Sequence, residues 1–217
     1  KDQIQEILNI FPLTNFFTYY GLTEASRSTF LLFNSDITKI ESVGKPAYDV
    51  EIKIVTNDEN TNNESKIGEV LIKGPNVIDE YWRDTGGKYK IKDGWIKTGD
   101  LGFFDNDGYL YLRGRKDDVI NVSGEKVSPV EIELVIRQLD GIKDVGIIGM
   151  PDRVFGEIPV AYVVAKSTLK ENEILYHCTK VLERYKIPQK IIFIDVLPKN
   201  EFGKIEKSVL REMYTKQ

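Results

Sequence analysis

The chain has 217 residues, 41% hydrophobic and 29% charged, the composition of a soluble globular protein of one or two domains. Its net charge of -4 argues against a nucleic-acid surface, which normally carries a basic excess. The single cysteine, Cys178, excludes an internal disulfide and points to a reducing, cytoplasmic compartment, and no apolar run approaches the ~20 residues of a transmembrane segment.

The opening residues, KDQIQEILNI, place Ile4, Ile7 and Leu8 on one face of a helix. Their apolar stretch is too short and too acidic for a signal peptide, and a chain that opens inside a helix reads as cut from something longer. Thr14 to Tyr20 is aromatic and β-prone, and Gly21 ends the run. Tyr20-Gly21-Leu22-Thr23-Glu24 follows. Taken alone, this pentapeptide reads first as a strand-to-loop corner with surface polar residues. It also offers a glycine that lets a ligand approach the backbone, a hydroxyl for a phosphate oxygen, and a hard carboxylate that suits Mg²⁺.

Val43 to Asp105 reads as all-β. Val50 to Ile54 alternates with period two, as does part of Glu69 to Lys73, and glycines and prolines punctuate the region. Short strands at this spacing suggest a small barrel or sandwich. Thr56 to Lys66 is an apolar-free stretch expected to be a solvated loop, and Trp82 reads as core or an interface plug. In Thr98-Gly99-Asp100, a carboxylate beside a glycine either caps its own turn or accepts hydrogen bonds from two vicinal hydroxyls. Asp105-Asn106-Asp107-Gly108 predicts a hairpin turn into the strand Tyr109 to Leu112.

Gly114 to Glu133, GRKDDVINVSGEKVSPVEIE, begins with charges, alternates through Val119 to Val122, and turns at Ser123-Gly124. It ends in a helix start with Ser128 as N-cap, Pro129 at the first helical position and Glu131 at the capping-box position. Ile132, Val135, Ile136 and Leu139 continue at helical spacing. Strands are predicted at Asp144 to Met150, Pro159 to Ala165 and Lys190 to Val196. A helix is predicted at Glu173 to Arg184 with Ile174, Leu175, Cys178, Val181 and Leu182 inward, followed by a last helix using Ile205, Val209, Leu210 and Met213. His177, the only histidine, lies off the apolar face and reads as a surface or boundary residue. A small α/β or α+β sandwich fits this half. Lys204 follows Gly203 but is not a phosphate-loop lysine of the nucleotide-triphosphatase kind, because Ile205 replaces the required Ser or Thr.

The stretch Gly114, Arg115, Asp117, Gly124, Glu131-Ile132-Glu133 resembles the hinge and following loop of the acyl-adenylate-forming superfamily: acyl-CoA and aryl-CoA ligases, luciferases and peptide-synthetase adenylation domains. Tyr-Gly-Leu-Thr-Glu at 20–24, Gly68-Glu69-Val70 through Gly74 to Tyr81-Trp82, Thr-Gly-Asp at 98–100, and Pro198 to Gly203-Lys204 resemble its other motifs in the same order. Asn200 stands where the family usually has Thr.

The resemblance implies an α+β architecture. Residues 1–113 would be the last part of the large adenylate-forming domain, including a small β-barrel-like subdomain. Residues 114–117 would be a hinge, and 118–217 a small α/β C-terminal lid domain. It further implies that Tyr20, Gly21, Thr23, Asp100 and Arg115 bind nucleotide, with Asp100 on the ribose hydroxyls, and that Glu24 holds Mg²⁺. Asp117 would be the hinge residue, Gly124 and Lys126 would face the thiol substrate, and Lys204 would be catalytic, offsetting the charge of a carboxylate approaching the α-phosphate of ATP.

The reaction implied is an ATP-dependent, AMP-forming acid–thiol ligation, in which the acyl group of an acyl-AMP passes to CoA or to carrier-protein pantetheine. The Ser/Thr/Gly-rich phosphate loop of that family is not in these residues, so the chain by itself is expected not to adenylate and to need the N-terminal portion of the same enzyme. A non-catalytic nucleotide-binding or docking module of the same descent is the alternative.

Overall fold

The computed structural model describes residues 2–56, 67–79, 91–166 and 169–216. Most of the stretch expected as a solvated loop, together with Tyr81 and Trp82, lies outside the described residues. The chain divides into two compact units, Lys1–Lys116 and Asp117–Gln217.

The first unit opens with α1 (Asp2–Ile10) and a three-stranded antiparallel sheet of β1 (Phe17–Tyr20), β2 (Thr29–Leu32) and β3 (Lys45–Pro46). A second sheet contains β4 (Glu51–Val55), β5 (Gly68–Lys73), β6 (Ile91–Lys92), β7 (Trp95–Phe104) and β8 (Leu110–Arg115). In β4, Glu51, Lys53 and Val55 face solvent while Ile52 and Ile54 turn inward, as the period-two pattern requires. Val70, Ile72, Ile96 and Leu110 form a core against Tyr20 and Ala25.

The barrel-like closure expected for this region is not formed among the described residues. The sheet runs β4-β5-β7-β6, with β8 also on β7. The reason lies in β7. Its Trp95 and Ile96 pair with β6, and its Asp100 to Phe104 pair with β8, so one long strand serves two short ones. β4 pairs with β5 and ends the sheet as a charged edge.

The turn after β7 is the predicted one. Asp105 Oδ1 accepts from the amides of Asp107 and Tyr109 at 3.0 and 2.8 Å, and Gly108 supplies the positive φ of 79°.

The second unit contains β9 (Ile120–Val122), β10 (Glu125–Val127), α2 (Pro129–Arg137), β11 (Ile142–Asp152), β12 (Gly156–Ala165), α3 (Glu171–Thr179), β13 (Lys190–Phe193) and α4 (Lys207–Thr215). The sheet order is β10-β9-β12-β11, with β13 parallel to β12. β12 is apolar on both faces. Ala161 and Val163 join Ile132, Ile136 and Ile174 in one cluster; Val160, Tyr162 and Val164 join Ile148 and Leu210 in the other. Helices α2 and α3 therefore cover one face and α4 the other, giving three layers.

α2 carries several β-branched residues, each costing a helix up to about 0.7 kcal/mol. Burying Ile132, Val135 and Ile136 contributes about 1.5–3 kcal/mol each, so burial decides. Ser128 keeps the extended N-cap backbone but makes no side-chain cap bond, and Glu131 instead accepts from Lys186 Nζ at 2.8 Å. α3 ends earlier than predicted. Leu182 still reaches the core, but Val181, expected inward, is 57% exposed, because the helix ends at Thr179, before both residues, and Arg184–Lys186 forms a 3-10 turn. β13 is likewise shorter than predicted. No helix among the described residues is long and apolar enough to cross a membrane.

Candidate functional site

In the first unit, three sequence-predicted residues meet. The β7–β8 register sets Asp100 opposite Arg115, and Tyr20 ends β1 beside them. Tyr20 Oη donates to Asp100 Oδ2 at 2.6 Å, and Arg115 Nη1 donates to Asp100 Oδ1 at 3.2 Å. Asp100 is 9% exposed. Its backbone amide donates to Thr98 Oγ1 at 3.0 Å, and that hydroxyl donates to the Val70 carbonyl at 2.8 Å.

Burial, reinforced by the Asp100 carboxylate at its hydroxyl, pushes the Tyr20 phenol well above the usual tyrosine range. Tyr20 is thus a fixed donor. An ionised carboxylate has about four acceptor positions, so with one bond on each oxygen Asp100 retains capacity for two further donors on neighbouring atoms. A vicinal diol fits that capacity.

Immediately after Tyr20 the chain makes a tight turn. Leu22 and Ala25 exchange backbone hydrogen bonds of 3.0 and 3.3 Å, with Thr23 exposed and Glu24 half-buried between them. A Cβ on Gly21 would sit 2.5 Å from the Arg27 amide nitrogen, so the glycine is needed for the turn's close backbone approach, apart from any ligand. The far side of the turn rests on residues 74–78. The Ile78 amide donates to the Glu24 carbonyl at 2.9 Å, and Asn76 Nδ2 donates to the Ser26 carbonyl and to Ser28 Oγ, both at 2.9 Å.

Among the described residues no cluster of three or more acidic, histidine or cysteine side chains forms a metal cage. A single carboxylate on a fixed turn is the donor set that suits Mg²⁺ shared with substrate phosphates, and Glu24 meets that description.

In the second unit, β9 and β10 form the predicted hairpin. Ser123 and Gly124 have φ of 53° and 93°, both positive as a two-residue turn of this hand requires. The Gly124 amide donates to Asn121 Oδ1 at 3.0 Å. Lys126 pairs across from Asn121 and is exposed. Beside the turn lies an open groove of about 550 Å³, lined by Asn121, Gly124, Val154, Phe155 and Glu157 among others. Glu157 Oε2 accepts from the Asn121 amide at 2.6 Å, and the Phe155 carbonyl accepts from the Ser123 amide at 2.7 Å.

Lys204 stands on a separate loop whose base is closed by a bridge between Lys199 and Ile205. Lys199 Nζ holds Asp144 Oδ2 at 2.6 Å. Asn200 Oδ1 accepts from the amides of Phe202 and Lys204 at 3.1 and 2.9 Å, and Gly203 has φ 79°. Asn200, the departure from the family pattern, is therefore the side chain that organises the loop. Lys204 itself is exposed, as is Asp117, within the 3-10 turn Lys116–Asp118. His177 bonds the Val135 carbonyl through Nε2 at 3.0 Å, a boundary residue joining α3 to α2.

Sequence reasoning assigned no role to Thr98, Asn76, Phe155 or Glu157. Thr98 was findable, since a hydroxyl two residues before Asp100 in a strand shares its face. Paired large apolar residues in a turn, Val154-Phe155, were the signal for the groove. Asn76 left none.

Two family models match the chain: AMP-binding enzyme over residues 1–82, and AMP-binding enzyme C-terminal domain over residues 131–204. The long-chain-fatty-acid–CoA ligase FadD13 of Mycobacterium tuberculosis is 40% identical over 199 residues, covering 90% of this chain and 39% of the relative. A 2-succinylbenzoate–CoA ligase of Oceanobacillus iheyensis is 39% identical over 191 residues, 87% of this chain and 39% of the relative. Among solved structures, the Bacillus subtilis o-succinylbenzoate CoA synthetase in complex with its acyl-adenylate intermediate superposes with a TM-score of 0.82 at 34% identity, covering 98% of this chain and 43% of that one. ATP-bound MatB of Rhodopseudomonas palustris gives 0.82 at 35% identity, covering 91% and 40%. The chain thus spans about two fifths of the length of the relatives it matches.

Proposed function

The chain belongs to the acyl-adenylate-forming, AMP-binding superfamily and matches its C-terminal portion, and from that premise we propose that it supplies the nucleotide-ribose site, the hinge and the mobile lysine of an ATP-dependent, AMP-forming acid–CoA ligase. The observation that carries this reading is the Tyr20–Asp100–Arg115 cluster. A buried carboxylate held from both sides, with lone pairs left on both oxygens, suits the 2′ and 3′ hydroxyls of a ribose. Arg115 holds Asp100 in orientation, and its half-buried guanidinium reaches toward ribose or phosphate.

Thr23 donates to a phosphate oxygen. Glu24 would hold Mg²⁺, which when bound neutralises phosphate charge. Lys204 lies between the attacking carboxylate and the α-phosphate, where a cation stabilises the charge that builds as the acyl-AMP bond forms and pyrophosphate leaves. A second orientation of the C-terminal unit about Asp117 then removes Lys204 and brings the Gly124–Lys126 hairpin to the site, where the CoA thiol takes the acyl group and AMP departs. The remaining three fifths of such ligases supply the phosphate loop and the acid pocket, so we propose that this portion alone binds nucleotide weakly and does not adenylate.

Calorimetric titration of the chain with AMP tests the reading. Weak binding that disappears in Asp100→Ala is the expected result. A folded wild-type chain that takes no AMP, or an Asp100→Ala variant that binds as well, favours the alternative, a docking module without a working ribose site.

A further inference from the structure

We propose that Glu69, Lys116 and Asp118 are positioning residues that confine the hinge to the single residue Asp117. The proposal rests on the reading of Asp117 as the turning point given above.

The last rung of β8 is Arg115 opposite Asp100, and the next strand starts at Ile120, which is 1% exposed. Four residues, 116–119, therefore lie outside both ladders, and a linker of that length would spread a rotation over all of them. Two ion-pair clamps narrow it. Lys116 Nζ donates to Glu69 Oε2 at 2.9 Å. Glu69 sits in β5 between its ladder partners Val55 and Leu101, and its side chain is 12% exposed. Lys116 is thereby fastened to the first unit.

On the other side, Asp118 meets Arg211 Nη2 at 3.5 Å and Lys207 Nζ at 3.9 Å, both from α4. Lys207 also pairs with Glu133 Oε1 at 3.3 Å, and that oxygen accepts from the Ile147 amide at 3.0 Å. Asp118 is thereby fastened to α4, and through Lys207 to α2 and β11, all in the second unit. Each clamp closes within one unit, so a rotation between them breaks neither. The backbone change concentrates on the exposed residue between, which sits in a 3-10 turn, an element common in connectors. A pivot one residue wide gives two defined orientations where a loose linker gives a continuum, which suits a reaction with two successive half-steps.

Backbone ¹⁵N relaxation on the whole chain tests this. In the wild type, the order parameter is expected to fall below about 0.6 at Asp117 while Lys116 and Asp118 stay near about 0.85. Glu69→Gln should extend the mobile stretch to Lys116, and Asp118→Asn should extend it to residues 118 and 119. The charge exchange Glu69→Lys with Lys116→Glu should restore the narrow profile. Should a variant fold poorly, 1 M salt on the wild type loosens both clamps by screening to about 3 Å and should widen the profile in both directions.

The clamps are refuted if Lys116 and Asp118 are already as mobile as Asp117, or if both variants and salt leave the profile unchanged. High order parameters throughout 115–119, together with no relaxation dispersion at Asp117 on the microsecond–millisecond scale of hinge motion, overturn the pivot and the hinge reading beneath it. AMP affinity is read in parallel, so that a failed ribose site and a failed pivot are told apart.

Discussion

Asp100 and Lys204 carry opposite charges, and the molecule constrains them to opposite degrees. Asp100 is buried and held at both oxygens, with its amide tied to Thr98. Lys204 is exposed, and only its backbone is fixed, by Asn200 and the bridge at the loop base. The difference fits the two tasks proposed for them. A group that receives a ligand gains from being held before the ligand arrives, since ordering is then not charged against binding. A group that must reach a reacting centre and leave again needs a stiff platform and a free arm.

The largest effect that would sharpen this contrast is on Lys204. In a chimera where these residues replace the matching portion of the Bacillus subtilis o-succinylbenzoate CoA synthetase, Lys204→Ala should lower acid-dependent ATP–pyrophosphate exchange by about 10²–10³-fold. Its melting temperature should match that of the parent chimera, because exposed substitutions change stability within about 0.5 kcal/mol. A large drop in melting temperature would break the comparison.

Asp100→Ala should behave the other way. Besides losing AMP, the chain should lose about 1–3 kcal/mol in urea unfolding, the cost of leaving the Tyr20 hydroxyl without its acceptor. Unchanged stability would mean that the cluster is less constrained than its geometry.

A smaller effect is expected at Asn200. Removing its acceptor in Asn200→Ala should slow exchange in the chimera about two- to tenfold, since one hydrogen bond is worth about 0.5–1.5 kcal/mol. Asn200→Thr should stay near the parent rate, because a hydroxyl can accept from the same amides. Equal rates for all three would show that the loop needs no side-chain organiser.

The smallest effects are on the alkaline side. Tyr20 has its folded pKa raised above the unfolded value near 10. Its contribution to stability is therefore complete below about pH 10 and is lost as the pH rises beyond it. Tyr20→Phe should flatten that part of the unfolding profile. In the second unit, burial pushes the Cys178 thiol up to about 11. Its contribution is complete below its unfolded value of about 8.5 and is lost as pH rises through 11. The folded chain should resist a thiol reagent at pH 8 and react on addition of denaturant.

Much of this was legible in the residues. Asp105 to Gly108 and Ser123-Gly124 predicted their turns because Asx side chains and glycine impose local geometry without help from the rest of the chain. The β-branched run Pro159 to Ala165 predicted the strand β12. Val181 misled, since a periodic pattern cannot say where the helix carrying it stops. The barrel failed for a related reason: strands are read one at a time, but closure depends on which strand shares β7.

What the sequence determined by itself was the set of chemical groups and their order: Tyr20, Thr23, Glu24, Asp100, Arg115, Asp117, Gly124 and Lys204, with turn chemistry where each loop needs it. Those are local properties, fixed by side-chain type and by the φ a neighbour permits. Only the tertiary structure decided that Tyr20 and Arg115 take one oxygen each of Asp100, that Asn76 supports the turn carrying Glu24, and that Lys116 and Asp118 are fastened on either side of Asp117. Each of those pairings joins residues tens of positions apart in sequence, or depends on one that does, through strand register and helix packing. A local pattern carries no information about either.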